Sequence, residues 1–170
     1  TGALTQCLVE QAGRVIAVEF DRDLILELDR QFGGGDSFQL VNEDALQLDL
    51  SRFGDRRLKV VANLPYNIAT PILQRLARQR EHIATMVLMF QREVGDRITA
   101  GVGSKERGYF SVLAENAFEV ERLFDVPPTA FVPMPKVWSS VVRLVPRPIE
   151  PDEGDLLRLV STGFMHRRKT

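Results

Sequence analysis

The sequence is poor in the residues that most often carry metal or thiol chemistry. Its 170 residues hold one cysteine, Cys7, and two histidines, His82 and His166. A lone cysteine excludes an internal disulfide and a cysteine-cluster metal site, and it fits a reducing compartment. Cys7 is expected to pack in the first helix. The histidines stand far apart with no second ligand at zinc spacing, so no metal site is expected and both read as ordinary surface or core side chains. No apolar run approaches 18 residues and no basic-then-apolar leader opens the chain, so neither a membrane span nor an export signal is expected; the inferred location is the cytoplasm. Internal repeats and low-complexity tracts are missing too. So is any large excess of charge: 22 Lys+Arg stand against 23 Asp+Glu, a balance that lends a nucleic-acid binder only weak support.

What is present is enough for one domain with a sizeable core, with 44% of residues hydrophobic. The charge is unevenly spread. Residues 1–60 carry a net −4 and residues 61–170 a net +3, which places the cations in the part that holds the most distinctive stretch. Solvated helix faces produce the same asymmetry.

Hydrophobic periodicity alternates strand with helix. Leu4, Cys7 and Leu8 have helical spacing; Arg14–Val18 reads as a strand ending at Glu19; Asp23–Phe32 is an amphipathic helix stopped by Gly33-Gly34-Gly35. Phe38–Val41 is another short segment of strand type. Val60, Val61 and Ala62 form an apolar run without alternation, which predicts a strand buried on both faces of a parallel sheet. A helix over 67–80 follows, with Pro71 in its first turn where a missing N–H is harmless, then a strand over 83–90 and a short helix toward Thr99. Gly101–Gly108 is a flexible cationic loop suited to an active-site flap, with Lys105 and Arg107 placed for phosphate; a solvated loop fits equally. Tyr109–Ala117 is helical, Phe118–Val126 alternates and should lie near an edge, a proline-stiffened loop runs over 127–137, and 137–145 returns as an antiparallel strand. A linker over 146–151 and a helix over 152–164 complete the pattern, an α/β fold with a mostly parallel sheet and a C-terminal antiparallel hairpin.

The distinctive stretch is Asn63-Leu64-Pro65-Tyr66, at the carboxyl end of the Val60 strand, where open α/β sheets bind ligands. An exocyclic aromatic amine such as adenine N6 is a poor nucleophile because its lone pair is delocalised. Acceptors on both of its hydrogens pull it toward an attacking geometry. Asn63 offers a side-chain carbonyl and Leu64 a backbone carbonyl; Pro65 fixes φ and needs no acceptor; Tyr66 offers a flat face for an extruded base. Read alone, the same residues also fit a strand ending in a turn. Glu19, at the end of the Arg14–Val18 strand, sits where a dinucleotide-type fold takes ribose hydroxyls, although any strand-end acid looks the same. Asp44 also fits a turn cap, Gly2 an N-terminal loop, and Phe131, between prolines, a core plug.

The Asn-Leu-Pro-Tyr signature resembles that of adenine-N6 methyltransferases, and with Phe131–Val137 and Arg167–Thr170 it most resembles the KsgA family of ribosomal RNA adenine dimethyltransferases. The resemblance implies a Rossmann-like S-adenosylmethionine-dependent methyltransferase fold over 1–150, with a preceding strand and Gly-rich turn of which Gly2 is the last glycine. It also implies the start of a small helical domain over 151–170. Asn63, Leu64, Pro65, Tyr66 and Phe131 would then be catalytic, with Phe131 on the face of the base opposite Tyr66. Gly2, Glu19, Asp44, Ala45 and Asn63 would hold S-adenosylmethionine, Asp44 by accepting from its adenine amino group. Lys105, Arg107, Lys136, Arg167 and Arg168 would touch RNA. The chain departs from the family pattern at Arg107, where a Tyr is common, and at Trp138, where an Asp is usual. The implied activity is transfer of two methyl groups to N6 of adenine in small-subunit rRNA during ribosome biogenesis. The pre-30S particle is the implied partner of a monomer with no metal and no membrane. An adenine-N6 enzyme acting on large-subunit RNA or DNA, or a non-catalytic RNA-binding assembly module, is the alternative.

Overall fold

In a computed structural model the chain is described over residues 2–165. It divides into two compact units, Thr1–Asp49 and Leu50–Thr170.

The first unit holds α1 (Ala3–Gln11), β1 (Val15–Glu19), α2 (Arg22–Phe32) and β2 (Phe38–Asn42). β1 and β2 pair in parallel from Val15 opposite Phe38 to Glu19 opposite Asn42. α2 begins where the Asp21 side chain accepts the Asp23 N–H at 2.9 Å, an N-cap that satisfies one of the orphan donors of the first turn. Its apolar stripe buries Leu28 and brings the Phe32 ring to 5.4 Å from that of Phe38. α1 departs from expectation. Cys7 is exposed and Leu4 is 43% exposed, because no described residue of this helix is buried and its Leu4–Cys7 face is uncovered.

The second unit holds β3 (Leu58–Asn63), α3 (Ala69–Arg78), β4 (Ile83–Gln91), α4 (Arg92–Ile98), α5 (Tyr109–Ala117), β5 (Phe118–Val126), β6 (Ser139–Pro146) and α6 (Glu153–Met165). Its sheet runs β3-β4-β6-β5, with β3 and β4 parallel and β6 antiparallel to both neighbours. The architecture is thus the expected Rossmann-like α/β fold, parallel first and closing in an antiparallel hairpin, with the hydrogen-bonded strands in two sheets rather than one. β4 is the spine of the core: Ile83, Met86, Leu88 and Phe90 have no exposed surface, and Leu73 of α3, Ala114 of α5 and Val142 and Leu144 of β6 are equally buried.

β3 corrects the sequence reading. Leu58, Val60 and Ala62 are half-buried while Lys59, Val61 and Asn63 are exposed, so the strand has one covered face and not two. It lies at the edge of its sheet, bonded to β4 alone. Lys59 explains the alternation: an ammonium cannot be sunk without a partner, and the period of two puts Val61 and Asn63 on the same open side.

Candidate active site

The carboxyl ends of the parallel strands carry the polar residues that the sequence singles out. In the first unit, Glu19 ends β1 and Asp44 follows β2, and the Glu43 N–H donates to the Glu19 carbonyl at 3.1 Å. Both carboxylates are half-buried. Glu19 Oε1 accepts the N–H groups of Phe20 at 2.8 Å and Asp21 at 2.9 Å, and Asp44 Oδ1 accepts the Leu46 N–H at 2.9 Å. Each acid is therefore held in place by one oxygen and keeps the second for another donor. Ala45 lies in the turn that Asp44 caps. Gly2, at the start of α1, has φ 61, where a side chain is strained, and a Cβ there would meet Gln31 Oε1 at 3.0 Å and Phe32 Cε2 at 3.2 Å.

In the second unit Asn63 pairs with Met89 across β3 and β4, and the Leu64 N–H continues the ladder to the Met89 carbonyl at 3.2 Å. Leu64 is 6% exposed, so its side chain anchors the turn. Pro65 is exposed and its carbonyl accepts the Ile68 N–H at 3.1 Å, closing the turn that leads into α3. The Asn63 side chain is exposed and makes no hydrogen bond among the described residues. Tyr66 is half-buried, and its hydroxyl shares a hydrogen bond of 2.9 Å with Ser139 Oγ. Ser139 is fully buried and stands opposite Gln91 across β4 and β6. Tyr66 is thereby tied to the start of β6, just after the proline loop that carries Phe131. Phe131 is half-buried, with its N–H on the Pro128 carbonyl at 3.2 Å.

The cationic residues divide. Lys105 is exposed near the tip of the 101–108 loop. Arg107 is turned inward: Nη1 donates to the Ala100 carbonyl at 2.9 Å, Nη2 pairs with Glu115, and 20% of the side chain remains exposed. It ties the neck of the loop. A Gly108–Ser111 bond of 3.0 Å secures the other end, leaving Val102 89% exposed at the tip. Lys136 is exposed and lines a cleft of about 350 Å³ with Gln91, Arg92, Asp96 and Trp138. Arg167 and Arg168 lie outside the described residues.

Sequence reasoning missed the support behind this edge. The Arg92 N–H donates to the Trp138 carbonyl at 2.9 Å and extends the β4–β6 pairing by one step. Asp125 accepts from Ser140 Oγ at 2.6 Å and lies 3.6 Å from Arg92 Nε, while Arg122 pairs with Asp96. Gly95 lets α4 approach β6. The available signal was Ser139-Ser140 opening an apolar strand, since fully buried hydroxyls imply partners.

The model of the ribosomal RNA adenine dimethylase family matches residues 1–170. The ribosomal RNA small subunit methyltransferase A of Geobacter sulfurreducens is 46% identical over 177 residues, covering 99% of this chain and 64% of the relative. The chain thus spans slightly less than two thirds of that protein's length. The crystal structure of a dimethyladenosine transferase from Plasmodium falciparum superposes with a TM-score of 0.82 at 27% identity, over 99% of this chain and 61% of that one. The 23S rRNA methyltransferase ErmE gives 0.79 at 24% identity, over 98% and 68% respectively, a likeness of fold alone.

Proposed function

Because the chain belongs to the ribosomal RNA adenine dimethylase family, we propose that it transfers two methyl groups in sequence from S-adenosylmethionine to N6 of adenine in small-subunit rRNA, in the cytoplasm. The small-subunit assignment draws on the relative from Geobacter sulfurreducens, named for that substrate. The observation that carries the catalytic reading is the Asn63–Tyr66 turn: an exposed amide without a partner among the described residues, beside a tyrosine fixed by its hydroxyl. Such an amide is free to accept one N6 hydrogen, and the Leu64 carbonyl would take the other. Tyr66 and Phe131 would hold the two faces of the extruded base, with Pro65 keeping the turn rigid.

S-adenosylmethionine, when bound, supplies a methyl group already made electrophilic by its sulfonium. The donor set fits such a molecule. Glu19 and Asp44 each keep one carboxylate oxygen with no partner among the described residues, suited to ribose hydroxyls and to an adenine amino group, and Gly2 and Ala45 would stand beside them at the start of α1 and in the Asp44 turn. The amine's direction and the immobilisation of its ring are the contributions this chain makes to rate, through orientation rather than a dedicated base. Lys105 and Lys136 would meet phosphate, and Arg167 and Arg168 extend the proposed RNA contact. The distribution of charge supports this division. Residues 1–49 carry 3 Lys+Arg against 10 Asp+Glu, and residues 50–170 carry 19 against 13.

Methyl incorporation into small-subunit particles, with large-subunit RNA as the control, tests the reading. Asn63→Ala is expected to lose transfer by about 10²–10³-fold, the usual cost of removing one oriented hydrogen-bonding group from a transition state. Its affinity for cofactor, measured by calorimetry, should fall far less, by under the tenfold that equals about 1.4 kcal/mol, because the other cofactor-holding residues remain. Near-normal turnover would remove Asn63 from the mechanism, and incorporation into large-subunit RNA alone would overturn the substrate.

A further inference from the structure

We propose that Trp138 and Lys136 form a second nucleotide position, which takes an unstacked nucleotide of the RNA strand adjoining the target adenine; this rests on the rRNA reading above and extends it. The open cleft beside α4 measures about 350 Å³ and is lined in part by Trp138. Trp138 is 45% exposed, and its indole N–H has no acceptor among the described residues. A tryptophan placed only for packing would bury its ring and satisfy that donor. Its stem is nonetheless fixed, because its carbonyl accepts the Arg92 N–H at 2.9 Å.

Position along the chain supplies the link to the clamp. The next residue, Ser139, bonds the Tyr66 hydroxyl at 2.9 Å, and successive side chains of extended backbone project to opposite sides. Ser139 therefore bonds Tyr66 on one side of the start of β6 while Trp138 lines the cleft on the other, and an RNA strand would reach both by passing over the carboxyl end of β4. Flipping one base unstacks its neighbour, and an aromatic face offers that neighbour sequence-tolerant stacking. Charge agrees with an RNA occupant. The two carboxylates that line the cleft are each paired, Asp96 with Arg122 and Glu93 with Arg97, whereas the exposed Lys136 ammonium has no ion-pair partner among the described residues and is free for the connecting phosphate.

Trp138 is the only tryptophan in the chain, so its emission reports the contact directly. The probe is a single-stranded RNA pentamer with a central adenine, and a fluorescein-labelled copy reports binding by anisotropy. Saturable quenching with the same midpoint as the anisotropy is expected. Trp138→Ala should bind about tenfold more weakly and Trp138→Phe should recover most of the loss, as removal and restoration of a stacking face require. Lys136→Ala should reduce the salt slope by about 0.7, the value for one phosphate contact on a single strand. Binding without any change in emission, Trp138→Ala binding as tightly as the parent chain, or no binding at millimolar pentamer each overturns the proposal. Failure of the methyl-transfer reading shows elsewhere: Asn63→Ala turning over normally would sink that reading and leave the quenching intact.

Discussion

Tyr66 has two separable parts on one side chain, a half-buried ring and a hydroxyl that fastens it. The hydroxyl meets Ser139 Oγ at 2.9 Å, and Ser139 has no exposed surface, so no water can replace the tyrosine as its partner. Tyr66→Phe keeps the stacking face and strands a buried hydroxyl, which costs about 1–2 kcal/mol of stability. Its methyl transfer should fall by less than about tenfold, which is 1.4 kcal/mol. Tyr66→Ala removes the face itself, and base–aromatic stacking is worth about 1–3 kcal/mol, so transfer should fall further. Thermal melting and methyl incorporation on the two variants separate these functions. Equal losses of transfer would assign the tyrosine's importance to its hydroxyl and not to its ring. The same logic of one atom holding and another left over governs Glu19 and Asp44, where the turn-cap and ligand readings prove compatible because a carboxylate has two oxygens.

Among elements, the packing of α4 on β6 is the least tolerant. An ideal Cβ on Gly95 would stand 2.7 Å from Ser140 Cβ and 3.0 Å from Ser140 Oγ. The Ser140 Cβ is bolted to a strand and cannot swing aside. Gly95→Ala should therefore cost about 1–3 kcal/mol by overpacking, against the usual helical gain from alanine. It should also disturb the Asp125–Ser140 bond behind the Trp138 cleft. A melting temperature lower by about 2–4 °C per kcal/mol checks this; an unchanged or raised value would show that α4 can slide away from the strand. Such contacts also mark where the sequence stops being legible. Tyr109–Ala117 and Phe118–Val126 are readable to the residue because local periodicity sets them. The edge position of β5 follows from its alternation. Gly95, by contrast, gains its meaning from a serine 45 positions away, and the Arg122–Asp96 pair from a strand and a helix that meet only after folding. β3 is of another kind: its one open face is legible from Lys59, whose charge outweighs the apolar residues around it.

At the scale of the molecule, charge follows the division into units more sharply than it follows any arbitrary cut, with the cations gathered in residues 50–170. That unit is also the one whose C-terminal helix is tied in by a buried ion. Arg80 is 3% exposed and donates to three carbonyls: from Nη1 to Ala77 at 3.1 Å, from Nε to Arg147 at 3.0 Å and from Nη2 to Pro148 at 3.1 Å. Its guanidinium also pairs with Glu153, the first residue of α6, whose side chain is 12% exposed. One side chain thus fastens the linker after β6 and the start of α6 to the end of α3. The sequence marks this stretch only as a linker; the long-range partner is what makes it fixed. Arg80→Met would leave the Glu153 carboxylate without its counter-charge and two linker carbonyls without their donor. Removing one partner of a buried pair costs about 3–5 kcal/mol. At about 2–4 °C per kcal/mol for a chain of this size, melting should fall by roughly 10 °C. Arg80→Met combined with Glu153→Leu removes both charges and should recover part of that loss, because an apolar pair carries no desolvation penalty. A double variant that melts no higher than the single one would mean that the carbonyl contacts, and not the ion pair, hold α6 against the rest of its unit.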